Sequence, residues 1–143
     1  MTGNAQNAWD ILQDAFILAF KHLKQVKHPD QFAGWLRRIV INECIRFSKR
    51  SVQWQSPDNY LDALVPDDEP AWWTHIDIEW VHYEIKHLPD GCRQVFVLYV
   101  LEDFAHKDIA NSLGISESTS KSQYQRARKL LKDRLLKKMT DNG

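Results

Sequence analysis

The sequence predicts an all-α protein, built as two small helical domains that an acidic linker joins. Three observations lead to this fold class: apolar residues recur at helical spacing in both halves, glycine and proline are scarce at five each, and charge is segregated along the chain. The net charge is zero overall, but +6 over residues 21–50, −8 over 51–85 and +6 over 117–138. We therefore expect two surfaces that attract polyanions, separated by a segment that repels them.

The N-terminal domain, residues 1–52, is predicted to contain two helices. In the first, from about Ala8 to Gln25, apolar residues recur at steps of three and four, and further apolar residues widen the face enough for more than one packing partner. The recurring residues are Trp9, Leu12, Phe16, Phe20 and Leu23, and those that widen the face are Ile11, Ala15 and Leu18. Pro29 separates this helix from the next.

The second helix, from about Gln31 to Lys49, is predicted to have an apolar and a basic side. The residues expected to pack inward are Phe32, Trp35, Leu36, Ile39, Val40 and Phe47. The basic, hydrogen-bonding side consists of Arg38, Asn42, Arg46 and Lys49.

Residues 53–74 form the predicted acidic linker, because they combine three prolines with a run of carboxylates and no sustained periodicity. We interpret Trp72 and Trp73 as an anchor that docks on one of the two domains, since the surrounding acids oppose base stacking.

The C-terminal domain, residues 75–143, is predicted to be a helix-turn-helix of the winged-helix-like kind. Its last two helices are expected at about 107–113 and 117–137. Gly114 can adopt the positive φ that ends the first of these, and Ser116 can cap the second.

The long second helix of this motif is predicted to be a DNA recognition helix. Its core stripe is Ser120, Tyr124, Ala127 and Leu131. The predicted DNA contacts near its N-terminal end are Ser118, Thr119, Lys121, Ser122, Gln125 and Arg126. Lysine and arginine suit guanine or phosphate and glutamine suits adenine, each good bidentate contact discriminating by about 1–3 kcal/mol.

Other function classes find little support. Cys44 and Cys92 have no Cys-x-x-Cys spacing and are interpreted as core residues, and the six histidines, read as surface or interface residues, have no metal-ligand spacing. We find no phosphate loop, nucleophile elbow or paired carboxylates, so neither an enzyme nor a metal or other cofactor is expected. No signal peptide or apolar run of membrane-spanning length occurs, which predicts a cytoplasmic protein.

Two stretches resemble extracytoplasmic-function sigma factors. Region 4 of that family is similar to Leu88-Pro89, Arg93-Gln94-Val95-Phe96-Val97-Leu98, Asp108-Ile109-Ala110, Leu113-Gly114-Ile115-Ser116, Thr119-Ser120-Lys121-Ser122 and Arg126-Ala127-Arg128. Region 2 is similar to Asp10-Ile11-Leu12-Gln13-Asp14-Ala15-Phe16 and to Phe32-Ala33-Gly34-Trp35-Leu36-Arg37-Arg38-Ile39-Val40-Ile41-Asn42.

The resemblance implies a subunit that directs bacterial RNA polymerase to promoters. Region 4 would recognise the upstream promoter element, called −35, and the basic side Arg38, Asn42, Arg46 and Lys49 would engage the −10 element. The loop Val26–Gln31 would pocket a flipped base. The polymerase clamp would bind Asp10, Gln13, Asp14 and Phe16. The implied partners are core polymerase, through its clamp and flap, promoter DNA, and an anti-sigma factor or a complementing sigma-like subunit.

The sequence also departs from the family. Helices usually precede the segment that starts at Ala8, so the first part of region 2 is expected to be missing. Ser120 replaces a buried valine, which should loosen packing, and Gln123 replaces an arginine, which should remove a contact to DNA. Three hypotheses stay open: a sigma factor, a split or truncated sigma-like co-activator that needs a partner, and a conventional helix-turn-helix regulator with an N-terminal dimerisation domain.

Overall fold

The computed structural model describes residues 1–51, 54 and 77–142. The chain forms two compact units, Met1–Val52 and Gln53–Gly143. Every regular element in the described ranges is helical, which confirms the all-α class. The predicted linker with its tryptophan pair lies outside the described residues, except for Trp54. None of the described helices has the length and apolar character needed to cross a membrane.

The first unit contains helix α1, Ala5–Lys21, and helix α2, Phe32–Ser51. Helix α1 starts earlier than predicted because the Asn4 side chain caps it, accepting hydrogen bonds from the backbone N–H groups of Gln6 at 2.9 Å and Asn7 at 3.2 Å. Short 3₁₀ turns at Leu23–Gln25 and Pro29–Gln31 connect the two helices.

Helix α1 packs on α2 through one isoleucine and two alanines. Ile11, Ala15 and Ala19 are buried, and the small alanine side chains let the two helices approach closely. The large residues of the predicted face lie beside this stripe and are exposed, with Phe16 at 50% and Phe20 at 79% of the accessible area. The apolar face is therefore as wide as predicted, but among the described residues only one edge of it is packed.

Helix α2 keeps its predicted inward residues half-buried, except for Phe32, which is exposed. Its buried positions are Glu43, Ile45 and Ser48, and the Ser48 hydroxyl donates to the Cys44 carbonyl oxygen at 3.0 Å. Both cysteines are free thiols; Cys92 is buried as predicted, whereas Cys44 is only half-buried.

The second unit contains helices α3, α4, α5 and α6. They span Ile78–Lys86, Asp90–Phe96, His106–Leu113 and Glu117–Asn142. Helix α4 continues into a π-helical turn at Val97–Leu101. Helix α6 contacts the other three helices. It is therefore the central helix of this unit.

The core of the second unit includes Leu98, Ile109 and Leu135, all fully buried. Arg93 is buried beside this core, and its guanidinium donates to the carbonyl oxygen of Leu88 at 2.8 Å and to the carboxylate of Asp90. A buried cation is tolerated here because these acceptors and the Asp90 charge compensate for lost hydration.

Candidate nucleic-acid interface

The turn between α5 and α6 has the geometry that the sequence predicts. Gly114 adopts φ +71° and ψ +34°, and the N–H groups of Gly114 and Ile115 donate to the Ala110 carbonyl oxygen at 3.0 and 3.1 Å. Ser116 caps α6, since its Oγ accepts from the Thr119 backbone N–H at 3.0 Å. The two helices of the predicted motif are thus joined by a tight, fully hydrogen-bonded turn.

The packing side of the predicted recognition helix α6 is also as expected. Ser120, Tyr124, Ala127 and Leu131 are all buried, and α6 contacts α5, which contributes Ile109 to the core. Burial on α6 extends beyond this stripe, since Ser122 and Gln125 are buried as well.

The six predicted DNA contacts on α6 do not share one environment. Ser118 and Lys121 are exposed and Arg126 is half-buried. The ammonium of Lys121 lies 3.6 Å from the Glu117 carboxylate in an exposed ion pair, which competes little with phosphate. These three side chains are the ones that the structure makes accessible.

The other three, Thr119, Ser122 and Gln125, are buried. The Ser122 hydroxyl donates to the carbonyl oxygen of Ser118 at 2.9 Å, and the Thr119 hydroxyl accepts a hydrogen bond from the Ser116 hydroxyl at 2.8 Å. The hydroxyls of Thr119 and Ser122 therefore form local hydrogen bonds, which residue type alone does not predict. Gln125 is 8% exposed, and its Oε1 has no hydrogen-bond partner within the described part of the chain.

Ser120 is held by a side chain that the sequence did not single out. Its Oγ lies 2.8 Å from His106 Nδ1, and the imidazole stacks on Tyr99 with ring centroids 4.3 Å apart. The ring of Tyr124 also belongs to this cluster, with its centroid 5.7 Å from that of the imidazole. The serine expected to loosen the helix is thus fully buried and hydrogen-bonded, and His106, the first residue of α5, connects the two helices of the motif.

Gln123 is likewise turned into the protein. Its Oε1 accepts a hydrogen bond from the Cys92 thiol at 3.1 Å. Burial raises the pKa of that thiol, although the nearby Arg126 lowers it in part, so Cys92 keeps its proton and remains a donor. Gln123 and Cys92 form a polar contact between α6 and α4.

The Trp54 ring packs on Gly91 of α4. A Cβ atom at Gly91 would lie 3.2 Å from Trp54 Cζ3 and 3.3 Å from Gln123 Oε1, so the absent side chain of Gly91 leaves the space that the indole fills. Sequence reasoning missed Trp54 because it assigned the residue to the linker, where periodicity gives no signal.

In the first unit, α2 exposes its basic side as predicted. Arg38, Asn42, Arg46 and Lys49 are all exposed. Arg46 Nη1 lies 3.2 Å from the Glu43 carboxylate, whose side chain is buried. This pairing fixes Arg46 on the helix surface.

The residues expected to meet polymerase are exposed on α1. Asp10, Gln13, Asp14 and the ring of Phe16 are all exposed. Asp10 accepts a hydrogen bond from the Gln6 side chain at 3.2 Å. Helix α1 therefore exposes both carboxylates and an aromatic ring, a combination that suits a partner with apolar and basic groups.

The sequence models of two families match the chain in order. Sigma-70 region 2 matches residues 1–54, and sigma-70 region 4 matches residues 78–131. The first match covers α1 and α2, and the second covers α3 to α5 with the N-terminal half of α6.

Among curated relatives, the chain is 30% identical to the ECF RNA polymerase sigma factor SigW of Bacillus subtilis, over 94% of this chain and 79% of SigW. It is 28% identical to the ECF RNA polymerase sigma factor SigE of Mycolicibacterium smegmatis, over 100% of this chain and 57% of SigE. The chain therefore spans little more than half the length of the second relative.

The fold is similar to that of the sigma factor RpoE of Bartonella quintana, solved in complex with the anti-sigma factor NepR. The TM-score is 0.52 at 23% identity, over 95% of this chain and 84% of RpoE. With regions 2 and 4 both matched in order, and with the identity to SigW, the chain belongs to the extracytoplasmic-function sigma factors of the sigma-70 family.

Proposed function

We propose that this protein is an alternative sigma factor that binds core RNA polymerase and directs transcription initiation at its promoters. The observation that supports this most is the capped recognition helix α6, which follows a basic α2 in a chain of the sigma-70 family. It acts by binding and not by catalysing a reaction of its own, and its place is the cytoplasm, where bacterial polymerase works.

Region 4 is proposed to read the −35 element with the first turns of α6. Lys121 and Arg126 supply charge for guanine or phosphate, and Ser118 supplies a hydroxyl at the exposed end of the helix. Thr119, Ser122 and Gln125 join this surface only if DNA binding exposes them.

Region 2 is proposed to hold the −10 element along the basic side of α2. Arg38, Arg46 and Lys49 supply cations and Asn42 supplies an amide for phosphates and unpaired bases. The loop Val26–Gln31 is the proposed pocket for a flipped base. Unstacking one base costs a few kcal/mol, so a pocket that stabilises it helps to melt the duplex without ATP.

Polymerase binding is proposed for the surface of α1 around Phe16, with the clamp as its partner and the flap as the partner of region 4. Helix α1 exposes the ring of Phe16 together with the carboxylates of Asp10 and Asp14, which suits a partner surface with apolar and basic groups. Once polymerase holds both units, the second promoter contact becomes effectively intramolecular, which raises its effective concentration. An anti-sigma factor is the expected class of inhibitor, as for the Bartonella relative.

A second candidate function has one observation in its favour. Trp9, Phe16 and Phe20 are all exposed on α1, and neighbouring exposed aromatic rings are typical of a surface that binds another protein. A sigma-like co-activator whose region 2 is completed by another protein would bury this face.

The test is run-off transcription with purified core polymerase on a promoter library, with and without added sigma-like proteins. Specific starts with this protein alone support the sigma factor. Starts only in the presence of an added protein support the co-activator. Specific operator binding without polymerase, combined with no stimulation of core, contradicts both and indicates a conventional regulator.

A further inference from the structure

We infer that Trp54 is an intramolecular inhibitor of DNA binding, which docks beside the recognition helix and must be released before region 4 can engage the −35 element. The inference rests on the proposed function, because it assumes that α6 reads DNA. It concerns the second unit alone, to which Trp54 belongs.

The docking site is a notch that the sequence builds for an indole. Gly91 lies in the first turn of α4 and has no side chain, and the Trp54 ring occupies the space where one would project. Gln123 Oε1 lies 3.3 Å from the same Cβ position and accepts a hydrogen bond from the Cys92 thiol. The indole therefore packs on α4 at a point that a side chain of α6 also approaches.

The notch borders the surface that reads DNA. Residues three and four apart are neighbours on a helix, so Gln123 lies one turn from both Thr119 and Arg126. Both are predicted DNA contacts, and Thr119 is buried while Arg126 is only half-exposed. Ser122 and Gln125 belong to the same surface and are also buried. A docked Trp54 therefore coexists with a recognition helix whose polar face is largely withheld from solvent.

The docked state is incompletely satisfied. Trp54 Nε1 and Gln125 Oε1 are buried and have no hydrogen-bond partner among the residues that the structure describes. A buried donor or acceptor without a partner destabilises the state that contains it, whereas water or DNA would satisfy both atoms after release. The contact is therefore suited to reversible opening more than to permanent structure.

The competing explanation is that Trp54 only completes the fold of the second unit and stays docked when DNA binds. Two full-length variants distinguish these explanations. Trp54→Ala removes the indole, and Gly91→Leu fills the notch while leaving Trp54 in the chain. Tyr83→Ala is the matched control, because it removes an exposed ring from α3 of the same unit.

The measurement is fluorescence anisotropy with a duplex that carries the −35 element of a promoter selected in the run-off library, at low salt. We expect both Trp54→Ala and Gly91→Leu to bind about tenfold more tightly, the gain that follows if roughly a tenth of the wild-type molecules are open. Tyr83→Ala should bind like the wild type. Far-UV circular dichroism reports whether each variant is folded.

The inference is overturned if both folded variants bind no more tightly than the wild type, or more weakly. It is also overturned if no variant binds the duplex although run-off transcription succeeds, because release of Trp54 would then not limit binding. If Trp54→Ala fails to fold, the binding measured for Gly91→Leu decides between the two explanations. If neither variant folds, Trp54 belongs to the core of the second unit and the inference is overturned. If the wild-type protein gives no specific starts in run-off transcription, that result contradicts the proposed function and not this inference.

Discussion

The two units of this protein place their apolar residues differently. Among the described residues, four apolar side chains are buried in the first unit and fourteen in the second. Exposure is reversed, since α1 leaves Trp9, Phe16 and Phe20 in solvent, whereas the second unit packs a contiguous core around Leu98 and Leu135. The second unit therefore has the core of an independent domain, and the first has the surface of a subunit.

This difference follows from one property of α1. Ile11, Ala15 and Ala19 are buried, whereas its aromatic residues are exposed, so the other described residues of this chain do not supply the burial that would stabilise those rings. In the second unit α6 contacts three helices, and among its described large apolar residues only Leu136 is exposed. Substitutions matched between the units test whether the difference is energetic as well as geometric.

The largest expected effect is on stability. Leu98→Ala should lower the free energy of unfolding by about 2–5 kcal/mol, because it leaves a cavity in a fully buried position. Phe20→Ala should change it by less than about 0.5 kcal/mol, because Phe20 is already in water. Urea denaturation of the full chain, followed by circular dichroism, measures both. A loss at Phe20 as large as that at Leu98 would show that the first unit buries this ring against a second copy in solution.

A second effect should appear only in complex with polymerase. Phe16→Ala should weaken the affinity for core polymerase by about 2 kcal/mol, the magnitude of an aromatic hot spot, while leaving stability unchanged. Ile17→Ala is the control, since its side chain is equally exposed but one helical position away. Titration of labelled core enzyme measures the two affinities. Equal losses for both variants would argue for a diffuse apolar contact and against the assigned site.

Much of the second unit could be predicted from the sequence because its signals are local. Gly114 ends a helix and Ser116 begins one through contacts within four residues, and the stripe from Ser120 to Leu131 follows from helix periodicity. The roles of His106 and Trp54 could not be predicted. Each depends on a contact with a residue remote in sequence, Ser120 for His106 and Gly91 for Trp54, and no spacing rule pairs them.

In the first unit, the sequence predicted the existence of both helices and the basic side of α2. The sequence did not predict which part of the apolar face of α1 would be buried. Ala15 and Phe16 both belong to that face, and only the position of α2 determines that Ala15 is buried and Phe16 is exposed. The start of α1 was missed because Asn4 precedes the apolar pattern and was not considered as a cap.

On the DNA side, Lys121→Ala should weaken binding to the −35 duplex about tenfold, or ~1.4 kcal/mol, because it removes an exposed cation from the first turns of α6. Lys137→Ala removes the same charge from an exposed position near the other end of the helix and should have a much smaller effect. Anisotropy at two salt concentrations separates local from general electrostatic losses. Equal losses for both lysines would mean that binding depends on total charge and not on the first turns of α6.

The smallest expected effect concerns the N-terminal caps of one helix in each unit. Asn4 caps α1 and Ser116 caps α6 by the same chemistry, a side-chain oxygen that accepts from backbone N–H groups of the first turn. Asn4→Ala and Ser116→Ala should each lower the local free energy of opening by about 1 kcal/mol, because a cap acts within one turn and does not depend on how much core lies beneath it. Hydrogen exchange of the first-turn amides of each helix measures this. If only Ser116→Ala lowers the local free energy of opening, the first turn of α1 is already frayed in the free protein. The small core of the first unit would then weaken even the hydrogen bonds within the first turn of its helix.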